Sequence, residues 1–203
     1  MITFHNYEGK NLETLKETCI NDLNVEENKI YFNETEKESG LFKGKKVYLE
    51  AITEEEIINS LKEFVKNLSI NMNLEINSEI KIQDNNINII LVSNNNNILI
   101  GKDGKTLNSI QLVLRQAYKE LNKFNLKIVL DVSNYRAKKV KNLEREIKNI
   151  CKEVLDTKVE VKLDPMNSYE RRIVHSIVSN FEGLQSVSEG VEPQRYTVIK
   201  IKD

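Results

Sequence analysis

The stretch LIGKDGKTLNSIQ, Leu99 to Gln111, constrains this chain more than any other. An apolar run meets Gly-Lys-Asp-Gly, and then Leu107, Ile110, Leu114, Ala117 and Leu121 recur at spacings of three and four, the period of a helix. Two glycines flanking a lysine make a poor core and a poor linker. They suit a backbone loop kept free of side chains so that something can come close. At a helix N-terminus such a loop offers unpaired N–H groups and the positive end of the helix dipole, both of which attract phosphate. Lys102 and Lys105 add charge. The same residues would also serve as a plain turn with an N-cap, so their surroundings decide.

Those surroundings have a definite order. Thr53-Glu54-Glu55-Glu56 reads as a capping box opening a helix whose face is Ile57, Leu61, Phe64, Val65, Leu68 and Met72. Ile76, Ile80 and Ile82 alternate as in a strand, Asp84-Asn85-Asn86 signals a turn, and INIILV is a short buried strand. After an asparagine loop at 94–97, Ile98-Leu99-Ile100 is expected to lead as buried strand into the glycines. The helix follows, with room for a second short one near Glu120–Phe124, and LKIVLDV closes the unit as a strand. Upstream, ITFHNY, a helix through Leu12, Leu15, Cys19 and Leu23, KIYFNE, and a GLFKGKK turn into VYLEA predict a small βαββ unit. Downstream, a long helix from about Tyr135 to Leu155 is followed by a KVEVKL strand, a break at Asp164-Pro165, a helix, and two strands, LQSVSEG and RYTVIKI. The fold class is therefore α+β: three small α/β units in series, at 1–51, 52–133 and 134–203.

The last helix carries a second constellation, NSYERRIVHSIVSN. Asn167-x-x-Glu170 is another capping box. Ile173, Val174, Ile177, Val178 and Phe181 fill one arc; Arg171, Arg172, His175 and Ser179 fall on the other and are expected to be exposed. Arg171 and His175, four residues apart, are neighbours there. Such a face suits a phosphate held by charge-assisted hydrogen bonds; an ordinary solvated face is the alternative.

Net charge alone, −1 over 203 residues, hides an uneven distribution. Residues 1–50 carry 7 basic and 10 acidic side chains, whereas residues 100–148 carry 12 and 5. The positive stretch begins at the glycine loop, as a nucleic-acid footprint would. No run of apolar residues is long enough for a transmembrane segment, and no apolar leader opens the chain, which predicts a cytoplasmic protein. Cys19 and Cys151 lie in apolar patterns and read as small buried side chains. Two cysteines and two histidines, His5 and His175, are too scattered for a metal site. The sequence has no P-loop or GxGxxG, and His175 has no second histidine or paired carboxylates beside it, so neither a cofactor nor catalytic residues are expected and the chain is not read as an enzyme.

The α-β-β-loop-α-β order around Gly101, Lys102, Asp103, Gly104 and Lys105 resembles a KH domain of the bacterial type II arrangement (αββααβ), whose loop clamps about four single-stranded nucleotides. Arg171-x-x-x-His175, with Arg172 and Ser179 beside it, resembles the R-three-H domain, a module that binds single-stranded nucleic acid. The two in this order, after a small unit with a GLFKGKK turn and ending in PMNSYERRIVHSIVSNFEGLQSVSEGVEPQRYTVI, resemble the bacterial Jag family, also called the KhpB family, over nearly the whole chain. The N-terminal unit then corresponds to that family's Jag domain. Two features depart from the family pattern: Glu50 runs almost directly into Thr53 where many members have a long charged linker, and Asp103 stands where a second basic residue is common. The resemblance implies a cytoplasmic protein that binds single-stranded RNA and regulates transcripts linked to cell elongation, division and envelope growth. It also implies a small single-domain KH protein (KhpA-like) as partner and admits a homodimer. The rival reading is a protein-interaction adaptor or scaffold whose RNA modules are vestigial.

Overall fold

The computed structural model describes residues 2–39 and 43–202, which divide between two compact units, 1–133 and 134–203. The expected GLFKGKK turn lies partly outside the described residues, at Gly40–Phe42.

The first unit begins with β1 (His5–Gly9), α1 (Leu12–Leu23), β2 (Ile30–Ser39) and β3 (Lys43–Thr53). The strands form an antiparallel sheet in the order β1-β3-β2. Asn11 caps α1 by accepting the N–H groups of Glu13 and Thr14, and Asn24 ends it in the left-handed conformation. Leu15 and Cys19 on one helix face bury against Ile30, Val47, Leu49 and Ala51, which is why Cys19 is a packed, free thiol.

β3 runs without a linker into α2 (Glu54–Met72), because Thr53 is both the last strand residue and the helix N-cap. The expected capping box is complete: the Thr53 hydroxyl accepts the Glu56 N–H, and the Glu56 carboxylate accepts the Thr53 N–H. The same carboxylate takes His5 Nε2 at 2.8 Å, and Phe4 stacks on Phe124 with ring centroids 5.3 Å apart. Burial raises the pKa of the Glu56 carboxyl, but the hydrogen bonds from the Thr53 backbone, His5 and the Thr53 hydroxyl outweigh it and hold the group below its ordinary range. Aromatic stacking and this shared carboxylate thus join the β1 end of the chain to the helical layer that follows.

That layer covers a second sheet of β4 (Ile76–Gln83), β5 (Asn86–Ser93) and β6 (Lys127–Val132), in the order β4-β5-β6, antiparallel then parallel. The parallel pair needs a crossover, and α3 (Asn96–Ile100) and α4 (Lys105–Ala117) supply it. Ile87, Ile89 and Leu91 of β5, buried with Ile128, Leu130 and Val132 of β6, form the face opposite Leu107 and Leu114 of α4. β6 is an edge strand, and α4 occupies part of its edge: Gln111 Oε1 accepts the Leu130 N–H and Arg115 Nε donates to the Ile128 carbonyl. The order α2-β4-β5-α3-α4-β6 matches the string αββααβ, with the short helix before the glycine loop and not after α4, where it was expected. Two stretches differ from expectation. Ile98-Leu99-Ile100 is helix rather than strand, and residues Lys119–Phe124 form a 3-10 turn. Three consecutive aliphatic residues carry no period of their own; here Asn96 decides, accepting the Ser93 N–H and donating to Ser133 Oγ, so that the chain turns at the end of β5.

The second unit comprises α5 (Tyr135–Thr157), β7 (Val161–Lys162), α6 (Ser168–Val178), β8 (Leu184–Glu189) and β9 (Tyr196–Ile201). Its antiparallel sheet has the order β7-β9-β8. Ile147, Cys151 and Val154 of α5 bury with Val174, Ile177 and Val178 of α6 and with Leu184 and Ile199 of the sheet. The Asn167–Glu170 capping box is complete in both directions, and Glu170 also pairs with Lys139 of α5 at 2.7 Å.

Candidate nucleic-acid interface

Gly101 ends α3 with its N–H on the Asn97 carbonyl, 2.8 Å away. Its φ of 67° and ψ of 180° belong to a region that only glycine enters readily, and a Cβ there would stand 2.1 Å from Thr106 Oγ1. Asp103 and Gly104 follow with φ of 55° and 84°. The loop is therefore a backbone feature folded tightly against the start of α4. No side chain caps that helix end, because the N-cap position is Gly104. Lys102, Asp103 and Lys105 are exposed, as expected from sequence. The Gly104 and Lys105 N–H groups close the turn on the Gly101 and Lys102 carbonyls, so what the loop offers is a helix start without a side-chain cap and two exposed lysines, an approach suited to phosphate. The exposed arc of α4 that contains Lys105 also holds Leu112 and Val113, 69% and 58% exposed. Sequence reasoning assigned neither. The signal was available: both fall off the arc of Leu107, Ile110 and Leu114.

In the C-terminal unit the side chains lie differently from the helical-wheel expectation. Arg172 and Ser179 are exposed, as expected, and the Ser179 hydroxyl donates to the Ser176 carbonyl. Arg171 is buried instead. It sits at the border of the apolar arc, next to Val178 on the wheel, where α6 meets the chain leading into β9. Its Nη1 donates to the Met166 carbonyl and pairs with Glu192 Oε1, both at 2.8 Å, so the buried charge is neutralised and hydrogen-bonded.

His175 is half-buried and fully engaged. Nδ1 lies 2.7 Å from Ser186 Oγ, and Nε2 lies 2.7 Å from Ser188 Oγ. Ser188 lies opposite Thr197 in the β8–β9 pairing, with their hydroxyl oxygens 3.5 Å apart. A neutral imidazole matches this arrangement by donating through one nitrogen and accepting a serine O–H through the other. Burial, then the charges of Arg171 and Arg195, hold the His175 pKa below its ordinary 6.5. His175 therefore serves as a neutral bracket for two hydroxyls rather than as an exposed cation. Ser186, Ser188, Thr197, Arg195 and Glu192 all escaped sequence reasoning. The alternation of Ser186 and Ser188 in β8 was the available clue, since it puts both hydroxyls on one face.

The lowered pKa sets a direction for pH dependence. Well above pH 6.5 His175 is neutral, folded or unfolded. As the pH falls through 6.5 the unfolded chain takes up a proton that the folded one resists, so stability is lost with acidification until the folded pKa is passed. Thermal melts of the wild type and of His175→Gln between about pH 7.5 and 5 should diverge, the wild type losing Tm faster once the pH drops below the ordinary histidine value. Parallel curves would show that His175 titrates as in a free peptide.

Comparisons with known proteins match the segments that carry these residues. A family model described as the KhpA/KhpB KH domain matches residues 58–131, and one described as the R-three-H domain matches residues 138–200. A relative named RNA-binding protein KhpB from Clostridium symbiosum is 31% identical over 199 residues, covering 96% of this chain and 90% of its own length. Proteins of the same name from Lactiplantibacillus plantarum and Bacillus subtilis are 34% and 32% identical over 105 and 107 residues, each covering 52% of this chain and 33% and 51% of their own lengths. Among the described residues no helix is long and apolar enough to cross a membrane.

Proposed function

Since the chain belongs to the KhpB family of RNA-binding proteins, we propose that it binds single-stranded RNA through two modules, the Gly101–Gly104 loop of a KH domain and the surface around His175 of an R-three-H domain. The observation that carries this reading is the loop: two glycines in positive-φ conformations set exposed Lys102 and Lys105 around an uncapped helix start, inside the segment that matches the KH family model. In the R-three-H domain the candidate contacts are Arg172, His175 and Ser179, with the hydroxyls that His175 holds, and buried Arg171 supports that surface from beneath. We divide the chain functionally into an N-terminal Jag-like domain, 1–51, a KH domain, 52–133, and an R-three-H domain, 134–203. The reading is of a binding protein rather than an enzyme, because the relatives it matches are named RNA-binding proteins. It extends to a cytoplasmic post-transcriptional regulator of transcripts for cell elongation, division and envelope growth. A small single-domain KH protein is the proposed partner, a pairing to which the joint KhpA/KhpB family model lends support.

The test is Lys102→Asp, which makes both middle positions of the loop acidic. Lys102 is exposed, so Tm should not change. Loss of one charge-assisted phosphate contact should weaken binding to single-stranded RNA by about 1–2 kcal/mol. Titration by fluorescence anisotropy checks this: an unchanged curve transfers the RNA contact away from the loop, and a wild-type protein that binds no RNA favours the adaptor reading.

A further inference from the structure

We infer that Arg195 is the cation of the R-three-H domain that meets the RNA phosphate, and that Arg171 is a positioning residue that holds Arg195 in place. This inference rests on the RNA-binding reading and assigns roles within it.

Arg171 is saturated. Its Nη1 serves both the Met166 carbonyl and Glu192, its side chain is 9% exposed, and a carboxylate already occupies the position a phosphate oxygen would take. Arg195 is the opposite case. Its Nε is shielded from solvent and has no hydrogen-bond partner, and among the described residues its guanidinium has no acceptor or ion-pair partner at all. Nε itself is closed to solvent, so an acceptor from outside meets the guanidinium through its terminal N–H groups, which have no acceptor among the described contacts. An arginine offers a planar fork that fits phosphate oxygens.

The position of Arg195 suits that task. It lies two residues before Thr197, hence on the same side of the chain entering β9, and Thr197 is opposite Ser188, whose hydroxyl His175 holds. The guanidinium is close enough to His175 for its charge to oppose protonation of the ring. A cation and two oriented hydroxyls, Ser186 and Ser188, thus lie around one histidine. Arg172, the other candidate cation on α6, is exposed on the helix arc beyond His175 and has no such neighbours among the described contacts.

Met166 connects the two arginines. Arg171 donates to the Met166 carbonyl, and the Met166 N–H donates to the Arg195 carbonyl at 3.1 Å. Glu192, three residues before Arg195, is paired with Arg171 directly. Arg171 therefore fixes the segment carrying Arg195 at two points.

The experiment uses the full chain and a fluorescein-labelled single-stranded RNA of about 15 nucleotides, with anisotropy read across a salt series and Tm measured for every variant. Arg195→Gln should weaken binding about tenfold, lower the slope of log affinity against log salt by about 0.7, the value for one phosphate on a single strand, and leave Tm unchanged. Arg195→Lys should keep most of the slope. Arg171→Ala should lower Tm and weaken binding, yet add little further binding loss when Arg195 is already Gln. Three results overturn the inference: Arg195→Gln binding like the wild type, Arg195→Gln lowering Tm as much as Arg171→Ala, or Arg171→Ala weakening binding equally in both backgrounds. Lys102→Asp run alongside separates the two levels. If it weakens binding while Arg195→Gln does not, RNA binding stands and the role of Arg195 fails; if wild-type protein binds no RNA, the broader reading fails first.

Discussion

Gly101→Ala is expected to destabilise the protein by about 2–6 kcal/mol and to remove RNA binding by the KH domain. Two independent penalties combine. The backbone at φ 67° and ψ 180° is a conformation that costs a residue with a Cβ about 1–3 kcal/mol. The new methyl would also stand 2.1 Å from Thr106 Oγ1 and 2.9 Å from the Thr106 nitrogen, an overpacking of the kind that costs about 1–3 kcal/mol. Thr106 lies in the first turn of α4 and cannot retreat without moving the helix start. Relief therefore has to come from the loop, on whose shape the proposed phosphate contact depends. Denaturant melts of the wild type and variant measure the first effect, and RNA titration under conditions where the variant is still folded measures the second. Lys102→Asp supplies the contrast, because it should weaken binding with no loss of stability. A Gly101→Ala protein with wild-type stability would mean that the loop relaxes freely and that its backbone conformation is not what the site depends on.

The contrast between the two sites also shows what the sequence made legible. The KH loop was readable because its conformation is a backbone property: Gly-x-x-Gly at a helix start announces absent side chains and positive φ whatever packs nearby. Both capping boxes were readable for the same reason, since each is a local pairing over three residues. The R-three-H site is tertiary. The 100° rule placed Arg171 and His175 on the polar arc, but it gives an angle and not the height of the neighbour at that angle. Burial of Arg171 depends on Met166 and Glu192, 5 residues before it and 21 after it in the chain. The partners of His175 depend on the β8–β9 register, which puts Ser188 opposite Thr197. Helix α3 was missed on a smaller scale: its five residues are too few to show a period, and the side chain of Asn96, not any pattern, turns the strand end into a helix.

An RNA long enough for both modules should bind at least about a hundredfold more tightly than one of about four nucleotides, and its affinity should fall more steeply with salt. The positive stretch of residues 100–148, 12 basic against 5 acidic side chains, begins at the KH loop and runs into the first helix of the R-three-H domain. β6 ends at Val132 and α5 begins at Tyr135, so the chain passes from one module to the next within two residues. A ligand already held at one site meets the second at an effective concentration in the millimolar range, which multiplies affinity by about 10² or more without any new contact. Each additional phosphate neutralised on a single strand steepens the salt slope by about 0.7, so two or three contacts in the R-three-H domain should add about 1.4–2.1. Arg171→Ala combined with His175→Ala should remove this surplus on the long RNA and leave the four-nucleotide RNA, which the KH loop alone can clamp, unaffected. Lys102→Asp should weaken both lengths. Anisotropy on the two lengths across a salt series measures all three comparisons together. Equal slopes for both lengths, with no loss in the double variant, would assign RNA binding to the KH domain alone and leave the His175 surface for some other ligand.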